Sequence, residues 1–443
     1  MATSISTAPS QSITRLRERL AAARARTDQL FTLVRPEAIR ERPIPERHRI
    51  IFYVGHLEAF DWNLIGVHAL ARPALDPVND RRFAFGIDPV DGQLPADEPQ
   101  DWPPMPEVRR YVERVRARLD AMVADPGFTA VDPELDLGTL LQVAIEHRLM
   151  HAETLTYMLH QLPPTAKVPG PIPIPPNASP PPPRAIAIPA GRATLGRQRS
   201  DPGFGWDNEF EAHAVDVPGF GIDSIKVTNA EYRRFVAAGG YADRAHWTAE
   251  DWAWIQDHGR LHPELWVPTG DQWLQRTMFG ALPLPLAWPV YVSHAEARAF
   301  AHWAGKRLPT EAEWQRAAYG TPGATERAYP WGDAPPTAAH GNFDFAGWDP
   351  EPTTAHPQGA SAFGALDMLG NGWEWTATPF APLPGFVPFT FYPGYSADFF
   401  DGRHFVMKGA SARTAACMLR RSFRNWYQAH YGYVYAGFRC VQD

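Results

Sequence analysis

The stretch "LPPTAKVPGPIPIPPNASPPPPRA", residues 162–185, decides how this chain is built. Proline removes a backbone donor and fixes φ, so at this density neither a helix nor a central strand persists. The stretch is expected to run extended, as a semi-rigid spacer. It divides the chain into residues 1–161, a linker over 162–185 and residues 186–443. A chain of 443 residues is too long for one ordinary domain and suits two.

The part before the linker reads as helix. "SITRLRERLAAARARTDQLFTLV" (12–34) sets apolar residues at helical spacing among good helix formers. Three further segments of similar length follow: "HRIIFYVGHLEAFDWNLIGVHALA" (48–71), "MPEVRRYVERVRARLDAMVA" (105–124) and "LGTLLQVAIEHRLMHAETLTYMLHQL" (137–162). Four such helices suggest a four-helix bundle, in which sites are built from side chains projecting inward.

After the linker the texture changes. Short β-like runs such as "AVDVPGFGID" (214–223) alternate with turn residues, and the chain carries 16 Trp, as though ordered loops were pinned by large rings. One clear helix starts in "RLPTEAEWQRAA" (307–318), where Thr310 can cap while Glu313 reaches back in a capping box. This half reads as an irregular α+β domain. The net charge of −7 argues against general nucleic-acid or anionic-membrane binding. Two cysteines, Cys417 and Cys440, give no disulfide framework; the pair could form one bridge, but two spare thiols are the expected reading. With no secretory signal and no run of about 18 apolar residues, the sequence reads as a soluble cytoplasmic protein.

"EHRLMHAET" (146–154) puts His147 and His151 one helical turn apart on one face, where both imidazoles can reach one ion. A third ligand is expected from another helix, and His56 sits deep in the second apolar segment. Three imidazoles on one face of an iron-like ion leave about three positions open. Glu58, Asp61 and Glu153 lie close in sequence, and a role orienting an imidazole N–H suits them better than direct ligation. His68 and His160 fall near helix ends and read as solvated or capping residues.

In the second half, "PVYVSHAEARAFAHWAGKRLPTEAEWQRAAYG" (289–320), "YPWGD" (329–333), "GNGWEWT" (370–376) and "AGFRCV" (436–441) resemble the formylglycine-generating-enzyme-like fold, a variant of the C-type-lectin fold. The copper chemistry of those enzymes needs a cysteine pair, and Cys417 has no obvious place in one. The first half resembles the DinB-like four-helix bundle, whose metal sites take one histidine from an early helix and two from a later one. His56, His147 and His151 match that pattern. Together the two resemble the ergothioneine-pathway sulfoxide synthases, the ovothiol synthases and the selenoneine synthases. That resemblance implies an oxidoreductase using non-heme Fe(II) and O2 to form a carbon–chalcogen bond on the imidazole ring of hercynine, the trimethylammonium betaine of histidine. Iron ligands and substrate segment come from different halves, so the reaction is expected where the halves meet.

The resemblance also implies site residues. A tyrosine of the second domain supplies a proton, and "FYPGYSADFFDGRHFVMKGASART" (391–414) offers Tyr392 and Tyr395. In "RRSFRNWYQAHYGYVYAGFRC" (420–440) the Asn425–Trp426 pair matches the hercynine-binding pair. An amide can bond the carboxylate, and an aromatic face suits a quaternary ammonium. Where the enzymes using γ-glutamylcysteine carry an acid and an arginine, this chain has Tyr427 and Tyr431. Their paired arginines are not evident either: "DRRFAFGIDPVDG" (80–92) supplies only Arg81 and Arg82, in another context. Tyrosine cannot reproduce a bidentate charged fork, but it offers a neutral sugar a stacking face and a hydroxyl. "FYVGHLEAFDWN" (52–63) is also similar to the selenoneine branch. The leading expectation is therefore a selenoneine synthase joining a selenosugar to hercynine. The first alternative is a hercynine sulfoxide synthase with a thiol donor; the second is a non-catalytic, metal-stabilised protein that binds a betaine or sugar.

Overall fold

The computed structural model of the protein describes residues 13–84, 95–132, 135–175, 182 and 184–442. The residues before Ile13, and the linker residues 176–181 and 183, lie outside that set. The chain forms two compact units, Met1–Gly170 with Pro202–Phe204, and Pro171–Asp201 with Gly205–Asp443.

The first unit is helical: α1 (Ile13–Phe31), α2 (Ile50–Asp61), α3 (Pro77–Arg82), α4 (Met105–Val123) and α5 (Leu137–Gln161). α4 buries Val108, Tyr111, Val115, Leu119 and Val123, one stripe at three- and four-residue spacing, and leaves most of its charges outward, Arg116 excepted. α5 instead buries nearly everything from Leu140 to His160, as α2 does over its whole length. That follows from packing: α2 meets both α4 and α5, and α5 also meets α1. Asp136 caps α5 by accepting from the Thr139 N–H at 2.9 Å. α2 does not stop at Asp61 but continues over Trp62–Ala69 as a π-helix, a rare form that collects at functional sites. Apolar periodicity does not distinguish that widened turn from an α-helix. The short α3, capped by Asp76 with Pro77 behind it, also escapes a reading based on long periodic runs.

The second unit is mixed. Three antiparallel strands, β1 (Ala185–Ile188), β4 (Phe220–Asp223) and β12 (Val441–Gln442), form one sheet. β2 (Gly191–Leu195) pairs with β3 (His213–Val217), and β5 (Trp266–Thr269), β6 (Gln272–Arg276) and β7 (Ala281–Pro283) make a meander. The sheet that matters most has the order β10 (Asn425–Gln428), β9 (His404–Ala410), β8 (Gly372–Pro379), β11 (Ala436–Gly437). Its register sets Asn425 opposite Met407 and Trp426 opposite Val406. Helices α6 (Asn229–Ala237), α7 (Ala249–Asp257), α8 (His294–Trp303) and α9 (Glu311–Tyr319) complete the unit. Thr310 and Glu313 make the expected capping box on α9, with Glu313 N–H donating to Thr310 Oγ1 at 3.2 Å and Thr310 N–H to Glu313 Oε2 at 2.8 Å.

Much of this unit is ordered loop, and its backbone carbonyls need donors. Buried cations supply them. Arg439 forks onto Glu374 at 2.6 and 2.8 Å and donates to Asp223 O and Leu366 O. Lys226 donates to Gly370 O at 3.0 Å and to Asp367 O. Four tryptophans are fully buried in this unit: Trp206 in a loop, Trp314 on α9, and Trp373 and Trp375 on β8. Both cysteines are free thiols.

Candidate active site

His56 lies mid-way along α2, and its placement begins with the residue before it. A Cβ at Gly55 would sit 2.5 Å from the Phe83 ring, so glycine lets Phe83 close on the helix. Phe83 then presents its carbonyl 2.7 Å from His56 Nδ1. That contact puts the proton on Nδ1 and leaves the Nε2 lone pair for a ligand. Phe52 stacks on the same ring at 4.7 Å.

His147 and His151 project from successive turns of α5. Their Nε2 atoms are 3.1 Å apart, and Phe60 stacks on His147 at 3.4 Å. The His56 ring is centred 5.5 Å from His147 and 5.0 Å from His151. One nitrogen from each of the three lies within 4.8 Å of the others, and all are buried. Two nitrogens about 2.1 Å from one ion, at right angles, are about 3.0 Å apart, so the Nε2 separation on α5 fits one transition metal. Among the described residues this is the sole metal-ligating cluster.

Burial holds all three imidazoles neutral, the form that binds metal. It lowers His56 to about 4 and His147 and His151 well below their usual value, helped by their mutual proximity and by Arg148. Between the usual histidine value and about 4, the unfolded chain holds a proton at residue 56 that the folded metal-free protein refuses. Stability is therefore full above the unfolded value and falls as pH drops through that window, by about 3 kcal/mol in total for His56 alone. Urea unfolding of metal-free protein from pH 7 to 4.5 reads the slope, and His56→Leu should remove this part of it. An unchanged slope in that variant would exclude a neutral buried His56.

The three histidines converge because α2 is locked to α5 by charge. Arg148, fully buried beside His147, donates to Glu58 Oε1 at 2.9 Å, Asp61 Oδ2 at 2.8 Å and Leu57 O at 3.0 Å. From α4, Arg116 adds contacts of 2.9 and 2.8 Å to the same Glu58 oxygen and forks onto Asp28 of α1. Burial pushes the Glu58 carboxyl up, but Arg148 and Arg116 outweigh it and hold the group below the usual range. Asp61, with burial dominant and Glu58 beside it, is raised. The expectation that Glu58 and Asp61 orient an imidazole is thus corrected: their bonded oxygens, Glu58 Oε1 and Asp61 Oδ2, take guanidinium groups, and the acceptor that orients His56 is the Phe83 carbonyl. His160 is 3% exposed, so of its two expected roles the solvated one is corrected, while its place in the last turn of α5 fits the capping one; His68 is exposed. Arg148 and Phe83 escape a sequence search for ligands. An arginine inside an apolar helix was the available signal for the first, and none existed for the second.

In the second unit the structure brings Tyr392, Tyr395 and Trp426 together. Tyr395 is buried, stacks on Trp206 at 4.0 Å and meets Trp426 edge-on at 5.5 Å; Tyr392 lies 5.5 Å from Tyr395. Phe380 stacks flat on Trp426 at 4.2 Å, and Phe399 approaches at 5.7 Å. Asn425 Oδ1 accepts from the Trp426 N–H at 2.9 Å, so the NH2 end of that amide is the donor end. Tyr427 and Tyr431 stack on each other at 5.1 Å, with Tyr433 against Tyr431. Arg81 and Arg82 serve local roles in α3, bonding Pro77 O and Asn79 Oδ1.

Comparison with known proteins agrees with both halves. Residues 173–443 match the sulfatase-modifying factor enzyme 1-like domain, and residues 19–155 match the DinB superfamily. The hercynine oxygenase of Mycolicibacterium smegmatis is 37% identical over 351 residues, spanning 77% of this chain and 78% of that protein. That of Mycolicibacterium thermoresistibile is 44% identical over 256 residues, 56% of each chain. Ergothioneine biosynthesis protein 1 of Neurospora crassa is 30% identical over 490 residues, with 92% of this chain and 55% of that protein covered. A DinB-type bundle followed by a sulfatase-modifying-factor-type domain is thus the class. The chain belongs to the hercynine oxygenase family and is an oxidative enzyme, which sets aside the non-catalytic alternative. No described helix is long and apolar enough to cross a membrane.

Proposed function

We propose that this protein is an Fe(II)- and O2-dependent enzyme that forms a carbon–chalcogen bond on the imidazole ring of hercynine. The observation that carries the reading is the buried cluster of three neutral imidazoles, His56, His147 and His151, in a chain of this family. Nitrogen ligands that occupy one face of an ion suit non-heme iron, and bound there ferrous iron would supply the one-electron and O2 chemistry that side chains cannot.

The protein's own groups would hold and orient the organic partners. The Asn425 NH2 donates to the betaine carboxylate, and the Trp426 face takes the trimethylammonium by cation–π attraction. Tyr392 or Tyr395 supplies a proton, and Tyr395 has the better support because it touches Trp426 directly. The names of the relatives favour a thiol donor, and hence a hercynine sulfoxide synthase, over the selenosugar the sequence suggested first. One observation favours the second reading. Tyr427 and Tyr431 stack at 9° to each other where a charged fork is expected for a dipeptide donor, and a paired phenol face suits a neutral sugar.

The test is anaerobic iron loading followed by turnover with hercynine and O2. Cysteine, γ-glutamylcysteine and a 1-selenosugar compete as donors, and products are read by mass spectrometry. A sulfur-bearing imidazole product assigns the thiol donor, and a selenium-bearing product from the sugar alone assigns the second reading. No product on hercynine from any donor, with iron bound, would refute the proposal.

A further inference from the structure

The backbone just before Asn425 is held by an ion pair taken fully out of water. Arg424 lies 2.9 and 3.1 Å from the two Glu311 oxygens through Nε and Nη2, at 2% and 3% side-chain exposure. Glu311 opens α9, where its charge also meets the positive end of the helix dipole. The other guanidinium nitrogen, Nη1, donates to Ala381 O at 3.0 Å, and the guanidinium carbon sits 5.0 Å from the Phe380 ring centre. Phe380 in turn lies 4.2 Å from Trp426 at an interplanar angle of 5°. One side chain therefore ties the start of β10, the backbone of the 380–381 loop and the ring that backs Trp426. Upstream, Arg420 is paired with Glu209 and Arg421 with Glu326, and Lys408 donates to Arg421 O and Phe423 O at 3.1 and 2.8 Å.

A buried ion pair is a poor source of net stability, because desolvation offsets most of the attraction. What a bidentate guanidinium gives is direction: its planar fork fixes the angle at which both partners meet. A lysine would preserve the charge but not that angle, nor the simultaneous bond to Ala381.

We propose that Arg424, held by Glu311, is a positioning residue for the betaine: it keeps Phe380 flat against Trp426 and so fixes the angle at which the half-buried indole meets the trimethylammonium group. The inference rests on the reading that Asn425 and Trp426 bind hercynine, and it goes beyond that reading by assigning the residues that aim them. Cation–π attraction depends on the cation lying over the ring, so a tilted indole weakens betaine binding without touching the chemistry.

The experiment compares full-length wild type, Arg424→Lys and Phe380→Leu. Hercynine binding is followed by tryptophan fluorescence on iron-loaded protein held without O2, and steady-state kinetics on the same protein with O2. For Arg424→Lys, Kd and KM for hercynine should rise about 10-fold, with kcat, iron content and the donor KM within about twofold, the pattern of lost uniform binding. A merely structural role would lower the folded fraction and leave the hercynine KM of the folded enzyme alone, and that result overturns the proposal. If Arg424→Lys does not fold, Phe380→Leu decides, since it keeps the ion pair and removes the backing ring; an unchanged hercynine Kd there overturns the proposal. Wild type that fails to bind hercynine sinks the reading of Asn425 and Trp426 and this inference together. Wild type that binds, beside variants that bind equally well, sinks this inference alone.

Discussion

Replacing His147 by alanine should leave a folded protein that no longer retains iron. Zinc-finger peptides gain about 10–16 kcal/mol from four ligands, so one ligand contributes about 3–4 kcal/mol, or two to three orders of magnitude in Kd. The fold should tolerate the change, because His147 contributes a neutral ring in a crowded, desolvated cluster rather than a charge that others depend on. Its removal takes one of three imidazoles that already raise one another's protonation cost. Anaerobic titration with Fe(II), together with iron content after desalting, gives the affinity. His160→Ala is the matched control, a buried histidine on the same helix outside the cluster, and should bind iron as wild type does. Turnover by the His147 variant should fall below detection. Iron retained at wild-type affinity by His147→Ala would remove the basis for a three-histidine centre.

How far the sequence carried this site depends on how local each signal was. His147 and His151 are four apart on one helix, so helical geometry alone fixes their relation. Adding His56 needed a bundle, and the four long periodic segments supplied one. The supporting groups were harder to see because they answer to tertiary contacts. Phe83 follows the short helix α3 and reaches His56 through a glycine gap that sequence periodicity does not encode. Glu58 and Asp61 were legible as carboxylates near a histidine, but only the packing of α2 on α5 shows that both are spent on Arg148. The same holds in the second unit. The capping box on α9 involves four consecutive residues and reads correctly from sequence. The ring set around Trp426 draws on residues 380, 395 and 399, and no sequence period relates them.

The Arg148 lattice carries the second large effect. Arg148→Met should destabilise the protein by about 3–5 kcal/mol at neutral pH, the cost of leaving buried carboxylates without their partner. The loss falls unequally. Glu58 keeps Arg116, whereas Asp61 loses the guanidinium that offsets its burial. Asp61, already raised, should then rise further and take up a proton in the folded state. A carboxyl whose folded value lies above its unfolded one costs stability at high pH and regains it as pH falls through the folded value. The gap between wild type and Arg148→Met should therefore narrow from pH 8 to pH 5. A second variant separates stability from placement. Arg148→Met combined with Glu58→Met and Asp61→Leu replaces the lattice by apolar packing, which often restores or raises stability. Iron affinity should not return with it, because the directional contacts that set α2 against α5 are gone and His56 no longer meets His147 and His151 at fixed distances. Urea unfolding and Fe(II) titration on the same samples read the two effects separately. A triple variant that is stable and binds iron as tightly as wild type would mean that apolar packing alone aligns the histidines, and that the buried charges have no part in building the centre.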